Sequence, residues 1–107
     1  LGVTLHGRAW SEAATAGDTE LLVSTVPAGV ADELATAAWK PELTVFDALY
    51  HPWPTPLAAA ASAAGCRVVG GLELLLAQAV RQFELFTGVP APVPAMRDAL
   101  HAAAARR

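Results

Sequence analysis

Two residues of this 107-residue sequence combine polar chemistry with an apolar setting: Tyr50, in the proline-rich stretch YHPWPTPL, and Gln78, inside the run LLLAQAV. A phenol donates and accepts hydrogen bonds at the edge of a packing ring, and a carboxamide offers both donors and an acceptor. Such groups recognise hydroxyls on a small ligand; they do not by themselves break bonds. Each also has a purely architectural use. Gln78 shares a helical face with Gly71, Leu74, Leu75 and Gln82, so its amide is expected to be buried and to need partners. Those partners are either the backbone of a neighbouring loop or a hydroxylated ligand. Tyr50 carries the same ambiguity.

Groups that drive bond-breaking chemistry are hard to find. His6, His51 and His101 are widely spaced, with no carboxylate or cysteine pattern around them, which argues against a metal site. Ser24 follows an apolar run but lacks the GxSxG of a nucleophile elbow. Asp47 is expected to order the loop after it, and Lys40, beside Pro41, to be solvated. Cys66 is the only cysteine, so neither an internal disulfide nor a cysteine-based zinc site forms within one chain; a small buried apolar role is expected. No residue stands out as a general base.

The composition sets the frame for these residues. With 54% hydrophobic and 16% charged residues the chain lies far from the profile of disorder, although alanine supplies much of the apolar fraction and buries little area. A chain of this length is expected to form one domain burying roughly 60–70% of its unfolded surface. The net charge of −3, with scattered arginines, offers no footprint for nucleic acid. No apolar run is long enough to span a bilayer and no secretory signal is visible, so a cytoplasmic protein is expected. The sequence begins with Leu1 in the apolar stretch LGVTLH, as expected for an internal position of a longer protein.

Local patterns predict the elements that position the polar residues. Val3 to His6 and Leu21 to Ser24 have strand character, the second after the turn-like AGDTE. VADELATAAW predicts a short helix with Asp32 and Glu33 in its first turn, stopped near Pro41, and LTVFDALY a third strand. Thr55 then Pro56 reads as N-cap and first helical position of an alanine-rich helix ending at Gly65. RVVGG predicts a fourth strand. GLELLLAQAVRQFELFTG places Leu72, Leu75, Leu76, Ala79, Val80, Phe83 and Phe86 at helical spacing up to Gly88, and residues 95 to 105 predict a terminal amphipathic helix. Alternating strands and helices define an α/β fold with a mainly parallel sheet.

In such sheets ligands bind beyond the carboxyl ends of the strands. Three unusual stretches fall there: STVPAG from Ser24, DALYHPW from Asp47, and Gly70-Gly71. The two glycines would let a flat ligand approach the backbone just before a helix, although no GxGxxG or Walker pattern occurs.

With these residues in view, STVPAG, FDALYHPWPTPL and GLELLLAQAVRQFELFTG, in that order, resemble the C-terminal half of the shikimate dehydrogenase family. The family stretch D-x-x-Y-x-P-x-x-T-P-L is met by Asp47, Tyr50, Pro52, Thr55, Pro56 and Leu57, and G-L-x-M-L-x-x-Q-A by Gly71, Leu72, Leu75, Gln78 and Ala79. The resemblance covers about residues 20 to 100. It implies a partial Rossmann-like parallel sheet with flanking and C-terminal helices: the latter half of an NADP-binding domain, without the N-terminal substrate domain. It also implies reversible reduction of 3-dehydroshikimate to shikimate with NADP(H). By this resemblance Thr25 lies beside the nicotinamide, the Gly71 carbonyl faces its amide, Ala48 and Leu74 pack against it, and Tyr50 and Gln78 hydrogen-bond shikimate. The sequence departs from the family pattern at Val23, Ser24, Glu73 and Leu74. The family's catalytic lysine and aspartate, its serine-rich carboxylate site and its glycine-rich phosphate loop belong to preceding sequence, so this chain alone is expected to be inactive and its natural partner to be that segment. A homodimer, a quinate-specific relative and a non-catalytic ligand-binding or assembly module remain open.

Overall fold

A computed structural model describes residues 2–106. Residues Trp10–Asp18 form a 3-10 helix, followed by strand β1 (Leu21–Ser24), a second 3-10 helix (Asp32–Thr36), β2 (Thr44–Asp47), α1 (Pro56–Ala63), β3 (Arg67–Gly70), α2 (Gly71–Thr87) and α3 (Val93–Ala105). The strands make one parallel sheet in the order β1-β2-β3. Their register sets Leu22 beside Val45 and Val68, and Ser24 beside Asp47 and Gly70. All three strands therefore end on one line.

Because side chains alternate along a strand, those two rows share one face. That face carries the core. Val45 and Leu43 are fully buried with Leu57 and Ala61 of α1, while Leu34, Trp39 and Cys66 close the periphery. The alanines let α1 lie close to the sheet, and Trp39 satisfies its indole by donating to the Leu34 carbonyl at 2.9 Å. Cys66 is a small buried residue, as expected, and its thiol donates to the Lys40 carbonyl.

The opposite face is bare at its β1 end, where Leu21 and Val23 are 55% and 53% exposed. Parallel sheets normally have both faces covered. The open shape agrees: the radius of gyration is 16.1 Å, against about 13 Å for a compact domain of this length. Helices α2 and α3 pack on each other, and the covered positions are Leu72, Leu76, Ala79, Val80 and Phe83 on α2 and Val93, Met96, Leu100 and Ala104 on α3. Gly88 ends α2 in the left-handed conformation at φ 71°. Arg97 of α3 pairs with Glu73 of α2 at 2.7 Å. No helix among the described residues is long and apolar enough to cross a membrane.

Two expectations are corrected, and one element is new. Val3 to His6 forms no strand, because no neighbouring strand pairs with it and Val3 and Leu5 lie in solvent. The expected helix over residues 30–39 shortens to the 3-10 helix Asp32–Thr36, since Trp39 turns inward to the core instead of continuing the helix. The unexpected 3-10 helix at Trp10–Asp18 is tied down from outside, by the Trp10 indole donating to Glu33 and by Lys40 pairing with Asp18. The Lys40 ammonium hydrogen bond, and then its charge, lower the Asp18 carboxyl below the usual range; the same contacts raise Lys40. This contribution is present above the ordinary Asp range and lost as pH falls through the lowered value. Both groups are fully exposed, so salt screens it.

The Thr55 N-cap expected from the sequence is formed. Thr55 Oγ1 accepts the Ala58 N–H at 3.1 Å and donates to buried Asp47 Oδ2 at 2.7 Å. Removing the hydroxyl uncaps α1, at about 1 kcal/mol, and strands a buried carboxylate oxygen, at about 1–3 kcal/mol. Denaturant unfolding should find Thr55→Ala less stable by about 2–4 kcal/mol and Thr55→Ser close to the parent.

Candidate functional site

The site begins where the strands end. β1 delivers Ser24 and Thr25, β2 delivers Asp47 to Tyr50, and β3 delivers Gly70 and Gly71 at the start of α2. Ser24 is buried and its Oγ has no hydrogen-bond partner among the described residues, while Thr25 beside it is exposed. An unpartnered buried hydroxyl carries a desolvation cost that a ligand or a further chain segment would relieve.

Asp47 takes the role expected of it. Its carboxylate is 1% exposed and accepts from the Leu49 N–H at 3.1 Å and from Thr55, so one side chain holds both ends of the loop that carries Tyr50. Gly71 closes the same loop from below, donating its N–H to the Leu49 carbonyl at 3.0 Å. The space beside Gly71 is already filled: a Cβ there would strike the Ala48 carbonyl oxygen and stand 2.8 Å from the Ala48 carbonyl carbon. Gly70 likewise has the Trp53 indole against it. On the Cβ side of both glycines the space is taken by loop backbone and an indole.

Tyr50, Trp53, Gly70, Gly71, Glu73 and His101 line a cleft of about 290 Å³ at this junction. A larger hollow of about 390 Å³ runs along the first 3-10 helix and touches none of the predicted site residues. Of those residues, the structure brings Tyr50, Gly71 and Ala48 together. Thr25 lies across the edge at the end of β1, while Leu74 and Gln78 stand on an exposed face of α2 with Leu75, Gln82 and Leu85. The expectation that Gln78 is buried fails: α2 is apolar on two sides, and only the side facing α3 is covered.

Trp53 and His101 escaped the sequence reading as cleft residues. A tryptophan between two prolines, followed in the chain by paired glycines, was the available signal for the first. His101 needs the packing of α3 on α2, which no local pattern encodes. Among the described residues no group of three or more His, Cys, Asp or Glu is placed to hold a metal.

A parallel sheet with loops and a glycine junction at its carboxyl edge defines the class: a Rossmann-like α/β layer. Residues 71–101 match the model of the shikimate 5'-dehydrogenase C-terminal domain. The shikimate dehydrogenase (NADP(+)) of Desulfitobacterium hafniense is 32% identical over 99 residues, 90% of this chain and 36% of that protein. The crystal structure of Mycobacterium tuberculosis shikimate dehydrogenase superposes with TM-score 0.72 at 53% identity, over 83% of this chain and 34% of that one. The quinate dehydrogenase of Corynebacterium glutamicum, solved with NAD, superposes with TM-score 0.68 at 28% identity, over 80% of this chain and 32% of that one. The chain belongs to the shikimate dehydrogenase family and corresponds to its C-terminal part. It spans about a third of the length of the curated relatives it matches.

The crowding at Gly71 makes a direct prediction. Gly71→Ala must displace backbone and should lower unfolding stability by more than ~3 kcal/mol. Gly7→Ala, which adds a methyl to open space, should leave it unchanged. Equal melting of the two variants by circular dichroism would show that the loop does not dock as described.

Proposed function

We infer that this chain supplies the nicotinamide-side part of an NADP-dependent shikimate dehydrogenase, which interconverts 3-dehydroshikimate and shikimate in aromatic amino-acid biosynthesis in the cytoplasm. The observation that carries this reading is the common line of strand ends, which gathers Thr25, Ala48, Tyr50 and Gly71 on one edge in a chain of this family. The chain is then the latter half of the NADP-binding domain plus the C-terminal helices, and the substrate domain comes from sequence outside these 107 residues.

The donor set fits the dinucleotide. The exposed Thr25 beside the unpartnered Ser24 hydroxyl offers polar contacts at the end of β1, and Ala48 and Leu74 offer apolar surface that excludes water from the ring. The Gly71 carbonyl would take the carboxamide. When bound, NADP(H) supplies the hydride acceptor or donor for the carbon that is a ketone in 3-dehydroshikimate. This chain's part is to hold and orient: Tyr50 by its hydroxyl and Gln78 by its amide bind the substrate, bringing reacting groups to productive distance. By the family resemblance, proton transfer to the substrate oxygen falls to the catalytic lysine and aspartate of preceding sequence.

The bare sheet face at Leu21 and Val23, and the exposed α2 face around Leu74 and Gln78, support the same reading as surfaces for the remainder of such an enzyme. They also favour the second reading, a non-catalytic assembly module that uses the open β1 edge to bind another segment or a second copy. The quinate dehydrogenase likeness keeps quinate as an alternative substrate.

Co-production with the preceding part of the Mycobacterium tuberculosis relative tests these readings. A complex that oxidises shikimate with NADP is expected. In it, Tyr50→Phe and Gln78→Ala should each raise the shikimate KM on the order of tenfold while leaving the NADP KM unchanged. A complex without turnover would favour the assembly module, faster quinate oxidation would shift the substrate, and unchanged KM values would leave both side chains with packing roles.

A further inference from the structure

Asp47 is 1% exposed, and among the described residues no cation pairs with its carboxylate. Such a group is stable in the interior only with hydrogen bonds in place of water, and a carboxylate offers about four acceptor positions. The Leu49 N–H takes one on Oδ1 and the Thr55 hydroxyl one on Oδ2, so the carboxylate keeps capacity for a further donor. The row of strand-end residues limits where that donor can stand. Beside Asp47 in that row are Gly70 of β3, which has no side chain and is covered by the Trp53 ring, and Ser24 of β1. Ser24 is 8% exposed and lies on the same face as Asp47, and its Oγ is buried without a hydrogen-bond partner among the described residues. An unused donor and an acceptor with spare capacity thus lie on adjacent strands at one register position.

We propose that Ser24 is a positioning residue for Asp47: its hydroxyl turns to donate to the carboxylate, a third hydrogen bond that ties the end of β1 to the junction of β2, its loop and α1. The movement is small. Adjacent strands run about 4.7–4.9 Å apart, within the combined reach of a serine and an aspartate side chain. The Ser24 carbonyl accepts the Ala48 N–H at 2.9 Å, so the backbone of this residue bonds toward β2, and the staggered χ1 position opposite its Hα directs Oγ to the same side. The bond relieves two costs together, that of an unpartnered buried hydroxyl and that of a buried charge short of donors. Ser24 is also a position at which the sequence departs from the family pattern, so the third bond is a feature of this chain. It does not depend on which ligand the site takes.

Urea unfolding of the full chain tests the bond. Ser24→Ala should shift the equilibrium toward the unfolded chain by on the order of tenfold or more. Made on Asp47→Ala, which removes the acceptor, the same substitution should have a much smaller effect, since the two side chains share one interaction. A Ser24→Ala variant as stable as the parent, or more stable, overturns the proposal, because removing an unpartnered buried hydroxyl costs nothing. An equal loss in both backgrounds overturns it too. If Asp47→Ala fails to fold, NMR of the parent and of Ser24→Ala decides. The parent should show a slowly exchanging Ser24 hydroxyl proton. Ser24→Ala should move the Asp47 carboxyl carbon signal and speed exchange of the Leu49 and Ala58 amide protons, which the Asp47–Thr55 pair holds, more than that of Met96 in α3. An unmoved carboxyl carbon, or a uniform change in exchange, shows that the hydroxyl has no hold on Asp47.

Discussion

The carboxylate of Asp47 is almost completely buried at the end of the central strand, and both its oxygens are used within the next eight residues. A charge withdrawn from water this far is tolerable only when hydrogen bonds replace its hydration. Here the replacements are the Leu49 N–H and the Thr55 hydroxyl, so satisfying one charge folds the loop and caps α1 together. Tyr50 sits inside that closed turn. The position of the site's most distinctive aromatic residue thus depends on an electrostatic requirement inside the sheet.

The two glycines after β3 extend the same constraint to the next helix. Gly71 lets the Ala48–Leu49 backbone lie against the first turn of α2, and Gly70 gives the Trp53 ring a flat seat. Strand end, loop and helix start are joined by close backbone approach at Gly71 and by the Trp53 ring at Gly70. Such a junction is precise because nothing in it is flexible enough to yield. It also places protein on the Cβ side of a glycine pair that by its type suggests room for a ligand.

Beyond that junction the structure is open. β1 leaves its edge and one face in solvent, and α2 covers only the side turned to α3. The chain spans about a third of the length of its curated relatives, and these faces are the ones its described residues leave uncovered. Leu21, Val23 and Leu74 are apolar side chains that the described residues leave exposed, and Gln78 shares the exposed α2 face with Leu74.

What could be read from the sequence follows from the range of the forces involved. Thr55-Pro56, the Gly88 stop, the strand runs ending at Ser24, Asp47 and Gly70, and the α/β class were legible because caps, turns and apolar periodicity act over a few neighbouring residues. The buried role of Cys66 and the loop-ordering role of Asp47 were legible for the same reason. Whether Val3 to His6 pairs as a strand, whether Gln78 is covered, what fills the space beside Gly70, and how His101 reaches the cleft depended on segments distant along the chain. Sequence by itself determined the three sheet strands, the helices α1 to α3 and the loops that reach the sheet's carboxyl edge. Tertiary structure decided which of their groups touch, because burial and close approach are properties of packed surfaces and not of local chain order.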